Sequence, residues 1–142
     1  MSPLDFLSIL HTAERLKDTP RHCTTTNGRT ESVAEHSWRT ALMAMLLKNE
    51  FPQIDIDKVT AMCIIHDLGE CFTGDIPTFV KTDSDRKTED SLLSQWVKTL
   101  PPEISARFAD LYAFDVVQHS PWLTALRQEV LNETKKKIET NK

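Results

Sequence analysis

Glycine is scarce, with 3 among 142 residues, and alternating β-branched runs are scarce as well. The chain therefore lacks both the tight-turn residues and the two-residue period of a sheet-based fold. Long apolar stretches are missing too. The longest, Ala41 to Leu47, is far short of the roughly 20 residues of a membrane-spanning helix, so no membrane partner is expected. Positive charge is not clustered: 17 Lys and Arg stand against 21 Asp and Glu, a net charge of −4. Such a chain has no basic footprint to displace counterions from nucleic-acid phosphates. Nucleic acid is excluded on that ground, whereas a small anion, which needs only one or two local arginines, is not. The N-terminus lacks the basic and apolar regions of a secretory leader. Cysteine is limited to Cys23, Cys63 and Cys71, an odd number in no paired spacing. Together these features point to a reducing cytoplasm. The compositional marks of disorder are absent, with 39 % hydrophobic and 27 % charged residues, and the length suits one domain over 1–142.

Apolar spacings of three and four dominate, which predicts an all-α fold. Ser2 as N-cap, Pro3 at the first helical position and Asp5 in the first turn open a helix that runs to about Lys17, with Phe6, Ile9, Leu10, Ala13 and Leu16 on its apolar face. Residues 18–31 (DTPRHCTTTNGRTE) show no period and read as an exposed loop, of a length that is often functional. Ser32 and Glu35 form a capping box for a helix to about Glu50. Asp57 is expected to cap a third helix, with Val59, Met62, Cys63 and His66 on one stripe and a break near Leu68-Gly69. A turn-rich segment at Thr73–Pro77 precedes a charged helix from about Ser84 to Leu100. Pro101-Pro102 then separates it from a shorter helix to about Tyr112, and Ser120 and Pro121 open a last helix with Trp122, Leu126, Val130 and Ile138 on its apolar side.

The chemistry concentrates at His36 and at the adjacent pair His66-Asp67. Imidazole and carboxylate are ligands that a divalent transition metal accepts, and packed helices can bring three such side chains to one point. Helical angles place His36 with Thr40, Met43 and Leu47, and His66 with Val59, Met62 and Cys63. Both imidazoles are thus expected to point inward, with Asp67 bending to the same centre from a helix end. Spacing alone leaves two readings open: a metal site, or two hydrogen-bonded core histidines beside a surface aspartate. Cys63 and Cys71 have no basic neighbour that would favour a thiolate and are assigned to packing.

Three segments in order, TPRHC at Thr19–Cys23, GRTESVAEHSW at Gly28–Trp38 and IIHDLGECFTGDIPTF at Ile64–Phe79, resemble the HD-domain metal-dependent phosphohydrolases, in their 5′-deoxynucleotidase-like branch. The resemblance implies a helical bundle around a divalent transition metal (Mn, Co, Zn, Fe or Ni) held by His36, His66 and Asp67. It also implies hydrolysis of nucleoside 5′-monophosphates to orthophosphate, and a homodimer. By the same resemblance Arg21 orients the substrate phosphate, a task that suits a bidentate guanidinium. Glu70 orients or deprotonates the attacking water. Asp75 takes a catalytic and substrate-contacting role, with Ile76, Pro77 and Thr78 in the substrate segment. His22 stands where relatives often carry a tryptophan that stacks on the nucleotide. The alternatives are plainer: a solvated loop arginine and histidine, a surface glutamate and a turn-forming aspartate.

The chain departs from that family in one respect. The family's fourth ligand is an aspartate before a lysine and an apolar residue, downstream of the His-Asp pair, and no such triplet follows Asp67 here. Asp57-Lys58-Val59 lies upstream and reads as a helix cap. The flanks on either side of Tyr112–Ala113 each resemble the family, so an internal helical segment is expected to be lacking at that junction. Either the fourth ligand belongs to a segment outside these residues, or the metal has three protein ligands or a substitute such as Asp110 or Asp115. Two rival functions follow: an HD hydrolase of a nucleoside triphosphate or an alarmone, and a non-catalytic helical metal-binding or scaffold module.

Overall fold

Capping boxes start the three longest helices of the computed structural model, which describes residues 1–113. Helix α1 (Pro3–Glu14) begins at Ser2, whose Oγ accepts from Asp5 N (3.1 Å) while Ser2 N donates to Asp5 Oδ2 (2.9 Å). The same exchange joins Ser32 and Glu35 at the start of α2 (Val33–Leu46), and Thr82 and Asp85 at the start of α5 (Asp83–Lys98). Each box satisfies two otherwise orphaned N–H donors within four residues, so these boundaries are legible in the sequence. Between them lie a 3₁₀ turn (Arg15–Lys17), a hairpin of β1 (Pro20–Thr24) and β2 (Thr30–Ser32), α3 (Ile56–Ile65) and α4 (Glu70–Thr73). The described chain closes with α6 (Pro102–Tyr112).

The architecture is helical, as the periodicity predicts, with one correction. Residues 20–32 pair as an antiparallel hairpin, Pro20 opposite Ser32 and Thr24 opposite Thr30, with an irregularity between these pairs. Its turn is closed by Thr25 N to Arg29 O (2.7 Å) and Gly28 N to Thr25 O (2.9 Å), with Gly28 at φ 81°. Of the β1 residues only Arg21 is not exposed. A strand exposed on both faces has no reason to alternate apolar and polar residues, so the period is missing; the available signal was Asn27-Gly28 between threonine-rich flanks.

Other boundaries also shift. Asp55, not Asp57, caps α3 by accepting from Lys58 N (3.0 Å), and Asp57 instead pairs with Lys48 at 2.8 Å. Helix α2 ends at Leu46, short of Glu50, in successive tight turns. The core joins Leu16, Val33, Ile65, Leu68, Cys71 and Leu111, with Phe72, Trp96 and Phe108 against it. A smaller cluster of Ala41, Ala44 and Cys63 seals α2 to α3. Helix α1 itself buries none of its residues: of the expected apolar face Phe6 and Leu10 stay about half exposed, Ile9 and Ala13 are half-buried, and only Leu16, in the 3₁₀ turn, reaches the core. Ile9, Ala13, Trp38, Ala41, Ile64 and Phe108 border an apolar groove of about 410 Å³. Among the described residues no helix is long and apolar enough to cross a membrane. The expected helix from Ser120, the carboxylate of Asp115 and the far flank of the Tyr112–Ala113 junction lie outside the described residues.

Candidate metal and phosphate site

The helix α3 stops one residue before His66, and that stop makes the site. Leu68 N donates to Ile65 O (3.0 Å) and Glu70 N to Asp67 O (3.0 Å), so residues 65–70 form two tight turns. In a continuing helix His66 and Asp67 would diverge by about 100°. The tight turns instead bring both to one side, with Nε2 of His66 3.0 Å from Oδ2 of Asp67. Leu68, 5 % exposed, plugs the turn into the core. Tyr112 Oη donates to Ile65 O (2.6 Å) from α6 and closes the end of α3.

His36 completes the group from α2, its Nε2 3.6 Å from Asp67 Oδ2, and the two imidazole rings lie 5.3 Å apart at 57°. The three donor atoms lie within 4.8 Å of one another. Neither histidine points into the core as the helical angles predict: each is 30 % exposed. The buried stripe of α2 is Val33, Ser37, Ala41 and Ala44, so His36 sits beside the core at the rim of a cleft. Nδ1 of His66 lies 2.8 Å from Cys63 O, which accepts its proton, so displacing the proton that Nε2 shares with Asp67 would free Nε2 for a cation, the arrangement typical of a ligating histidine.

The charges match that chemistry. Burial disfavours ionisation of His66, but the hydrogen bond and charge of Asp67 and the Cys63 carbonyl outweigh it, and its pKa is raised. Asp67 is also opposed by burial, yet His66, His36 and Arg21 hold its pKa below the usual carboxylate value. Burial, assisted by the charge of Arg21, lowers that of His36. Glu70, 5 % exposed at the start of α4, is pushed up to about 8 by burial and then by the charges of Asp67, Asp75 and Glu89. Among the described residues, Oε2 of Glu70 and Oδ2 of Asp75 are buried without a hydrogen-bond partner. The two imidazoles and the carboxylate of Asp67 are a donor set that fits a divalent transition metal. Cys63 and Cys71 are buried free thiols whose pKa burial raises, so they pack as expected, and Cys23 is exposed.

The hairpin adds the positive charge. Arg21 Nη1 lies 3.6 Å from Asp67 Oδ2, while its Nε lies 3.6 Å from Glu31 Oε2 on β2. The guanidinium is therefore held between the metal group and an acid that sequence reasoning passed over. His22 faces Asp75 across 3.9 Å and meets the Phe79 ring edge-on at 5.5 Å. Ile76 and Pro77 are half-buried and Thr78 is exposed. Asp110 does not join the metal group, because it pairs with Lys58 at the opposite end of α3 (2.8 Å). Glu31, Glu89 and Tyr112 left no local signal, since each acts on a residue distant in the chain.

The comparisons with known proteins agree with this geometry. The HD domain profile matches residues 13–115. The 5′-deoxynucleotidase PM0747 of Pasteurella multocida is 33 % identical over 107 residues, covering 68 % of this chain and 55 % of that protein. The human 5′-deoxynucleotidase HDDC2 is 28 % identical over 86 residues, covering 59 % and 41 %. The chain thus spans about half the length of the curated relatives it matches. A crystal structure described as a predicted metal-dependent phosphohydrolase from Magnetospirillum magnetotacticum superposes with a TM-score of 0.67 at 30 % identity, over 77 % of this chain and 57 % of that one. With the profile spanning well over half its residues and the His-Asp turn at its centre, the chain belongs to the HD domain family.

Proposed function

We propose that this protein is a metal-dependent phosphohydrolase that releases orthophosphate from nucleoside 5′-monophosphates, deoxynucleotides foremost. The observation that carries the reading is the convergence of His36, His66 and Asp67 with the Arg21 guanidinium 3.6 Å from the same Asp67 oxygen. A divalent transition metal (Mn, Co, Zn, Fe or Ni) held by His36, His66 and Asp67 supplies positive charge that shields the phosphoryl group and acidifies water. Arg21 gives paired N–H donors to phosphate oxygens, and Glu31 behind it keeps the guanidinium planar face in register. Glu70, whose pKa burial and the neighbouring carboxylates raise to about 8, is the residue that would accept a proton from the attacking water, since a bound cation would lower that value. Asp75 takes the sugar and leaving-group side, with Ile76, Pro77 and Thr78 along the segment that follows. The exposed edge of His22 and Phe79 offers a stacking surface for the base.

The names of the two curated relatives support the substrate class, and the fold neighbour supports the reaction class. The reading includes a cytoplasmic homodimer. The three free thiols suit that compartment, and the dimer rests on family likeness.

The test is to supply the purified chain with Mn²⁺ or Co²⁺ and a panel of deoxynucleoside and ribonucleoside monophosphates. Release of orthophosphate, lost in His66→Ala together with metal binding measured by calorimetry, is the expected outcome. Pyrophosphate or triphosphate as product would move the chain to the nucleoside triphosphate or alarmone class. Metal binding without any hydrolysis would make it a scaffold.

A further inference from the structure

One carboxylate of α5 touches both ends of the segment that carries Asp75. Glu89 Oε2 lies 2.5 Å from Lys81 Nζ at one end and 3.5 Å from Thr73 Oγ1 at the other. The side chains of Lys81 and Glu89 are only 11 % and 15 % exposed, so their pairing is sheltered from the screening that makes surface ion pairs nearly worthless. The stem of Glu89 rests on Gly69. A Cβ at that position would lie 2.7 Å from Glu89 Cγ, whereas the Gly69 backbone, at φ −58°, is ordinary helix. The expected break near Leu68-Gly69 falls in the turn of residues 66–69, and the missing side chain of Gly69 also leaves the room that Glu89 occupies. Gly69 stands two residues after Asp67, in the same turn.

Between its two tethers the segment meets His22 of β1, which faces Asp75 and Phe79, and is otherwise held, among the described residues, by bonds of its own. Gly74, at φ 76°, donates to Glu70 O (2.9 Å), and Val80 N and Lys81 N both donate to Pro77 O (2.9 and 3.0 Å). These are local bonds. They shape the segment without setting its distance from the metal group.

We propose that Glu89 is a positioning residue: by seating on Gly69 and tethering Thr73 and Lys81, it sets where Asp75 and the residues after it stand relative to His36, His66 and Asp67. What the positioned segment acts on rests on the phosphohydrolase reading above; the tether itself does not. A displaced substrate segment weakens ground-state and transition-state contacts together, so the effect belongs in KM, with the ligands untouched.

The experiment uses the full chain with Mn²⁺ and deoxyadenosine monophosphate. It compares wild type with Glu89→Gln and with the paired variant Lys81→Met/Glu89→Met, which removes the tether without leaving a buried unpaired charge. Both variants are expected to raise KM about tenfold; kcat stays within about twofold in the paired variant, which removes both charges, whereas Glu89→Gln alone also removes a charge that raises the pKa of Glu70 and is read for KM. Mn²⁺ affinity by calorimetry stays at the wild-type value, and the Val80 and Lys81 amides exchange about tenfold faster while α2 amides do not change. Unchanged KM and unchanged exchange in a folded paired variant would reduce the pair to a structural ion pair and overturn the proposal. Mn²⁺ affinity falling in step with KM would overturn it too, because Glu89 would then support the ligands. If wild type binds Mn²⁺ yet hydrolyses nothing, the phosphohydrolase reading fails, and amide exchange alone still decides whether Glu89 tethers the segment.

Discussion

The turn at residues 65–70 and the hairpin at residues 20–32 deliver charged groups to the same point by opposite means. The turn is held by burial: Ile65, Leu68 and Cys71 belong to the main core, and Tyr112 pins the end of α3 from behind. The hairpin is held by polar contacts: its strands are largely exposed, and only Arg21 and Glu31 face the site from partly buried positions. Packed interiors resist displacement because any shift opens a void or a clash. Exposed hydrogen bonds exchange with water at little cost. The candidate metal group is therefore set rigidly, while the hairpin that carries Arg21 is adjustable.

That contrast can be broken experimentally. The largest effect is expected at Glu70. The fold favours its neutral form, so the folded chain binds that proton more tightly than the unfolded one. The resulting stabilisation of the metal-free protein is fully present below the ordinary value of 4.5 and is lost as pH rises through about 8. At about 1.4 kcal/mol per unit, the whole span corresponds to at most about 5 kcal/mol. His66, with its raised pKa, has the same sign. Urea midpoints at acid and alkaline pH are therefore compared with those of Glu70→Gln, which should show the flatter profile; equal slopes would refute the assignment.

Leu68→Ala comes next. Truncating a core residue in the turn should cost about 2–5 kcal/mol, read as a fall in the denaturation midpoint, with weaker Mn²⁺ binding because the turn loosens. Arg21→Ala should do the converse. It leaves stability and metal affinity near wild type and lowers kcat/KM about a hundredfold, the usual consequence of losing one preorganised donor to developing charge. Arg21→Lys is expected to recover little, since a point charge does not replace the fork. Metal affinity falling with Arg21→Ala would show that the hairpin supports the metal group after all.

The smallest effect belongs to Gly28→Ala. Gly28 sits at φ 81° with open space around it, so the added methyl meets nothing and only the left-handed backbone is penalised, by about 1 kcal/mol. Hydrogen exchange should loosen at Thr25 and Gly28, with no change at the turn of residues 65–70.

How much of this was legible in the sequence depended on the range of the interaction. Ser2-Asp5 and Ser32-Glu35 could be read because a capping box closes within four residues. His36, His66 and Asp67 could be nominated from their chemistry and from three motif segments, and the turn brings them together. The orientation of His66 departs from the expectation because α3 ends at Ile65, and that of His36 because the buried stripe of α2 is Val33, Ser37, Ala41 and Ala44. Asp57 is the expected cap because both acids stand at a plausible distance, but Asp57 pairs with Lys48, in the turns after α2, and Asp55 caps the helix.

By itself, then, the sequence determined the helical class, the helix starts at Ser2 and Ser32, the balance of charge and the set of groups able to hold a cation, since all of these are written in residue types and spacings of a few positions. Tertiary structure alone decided that the loop is a hairpin, that Arg21 lies between Glu31 and Asp67, and that Glu89 occupies the room left at Gly69. It also decided that Tyr112 closes a helix ending 47 residues earlier. These contacts join segments whose separation along the chain leaves no periodic trace, and only the packing of the helices brings them within reach.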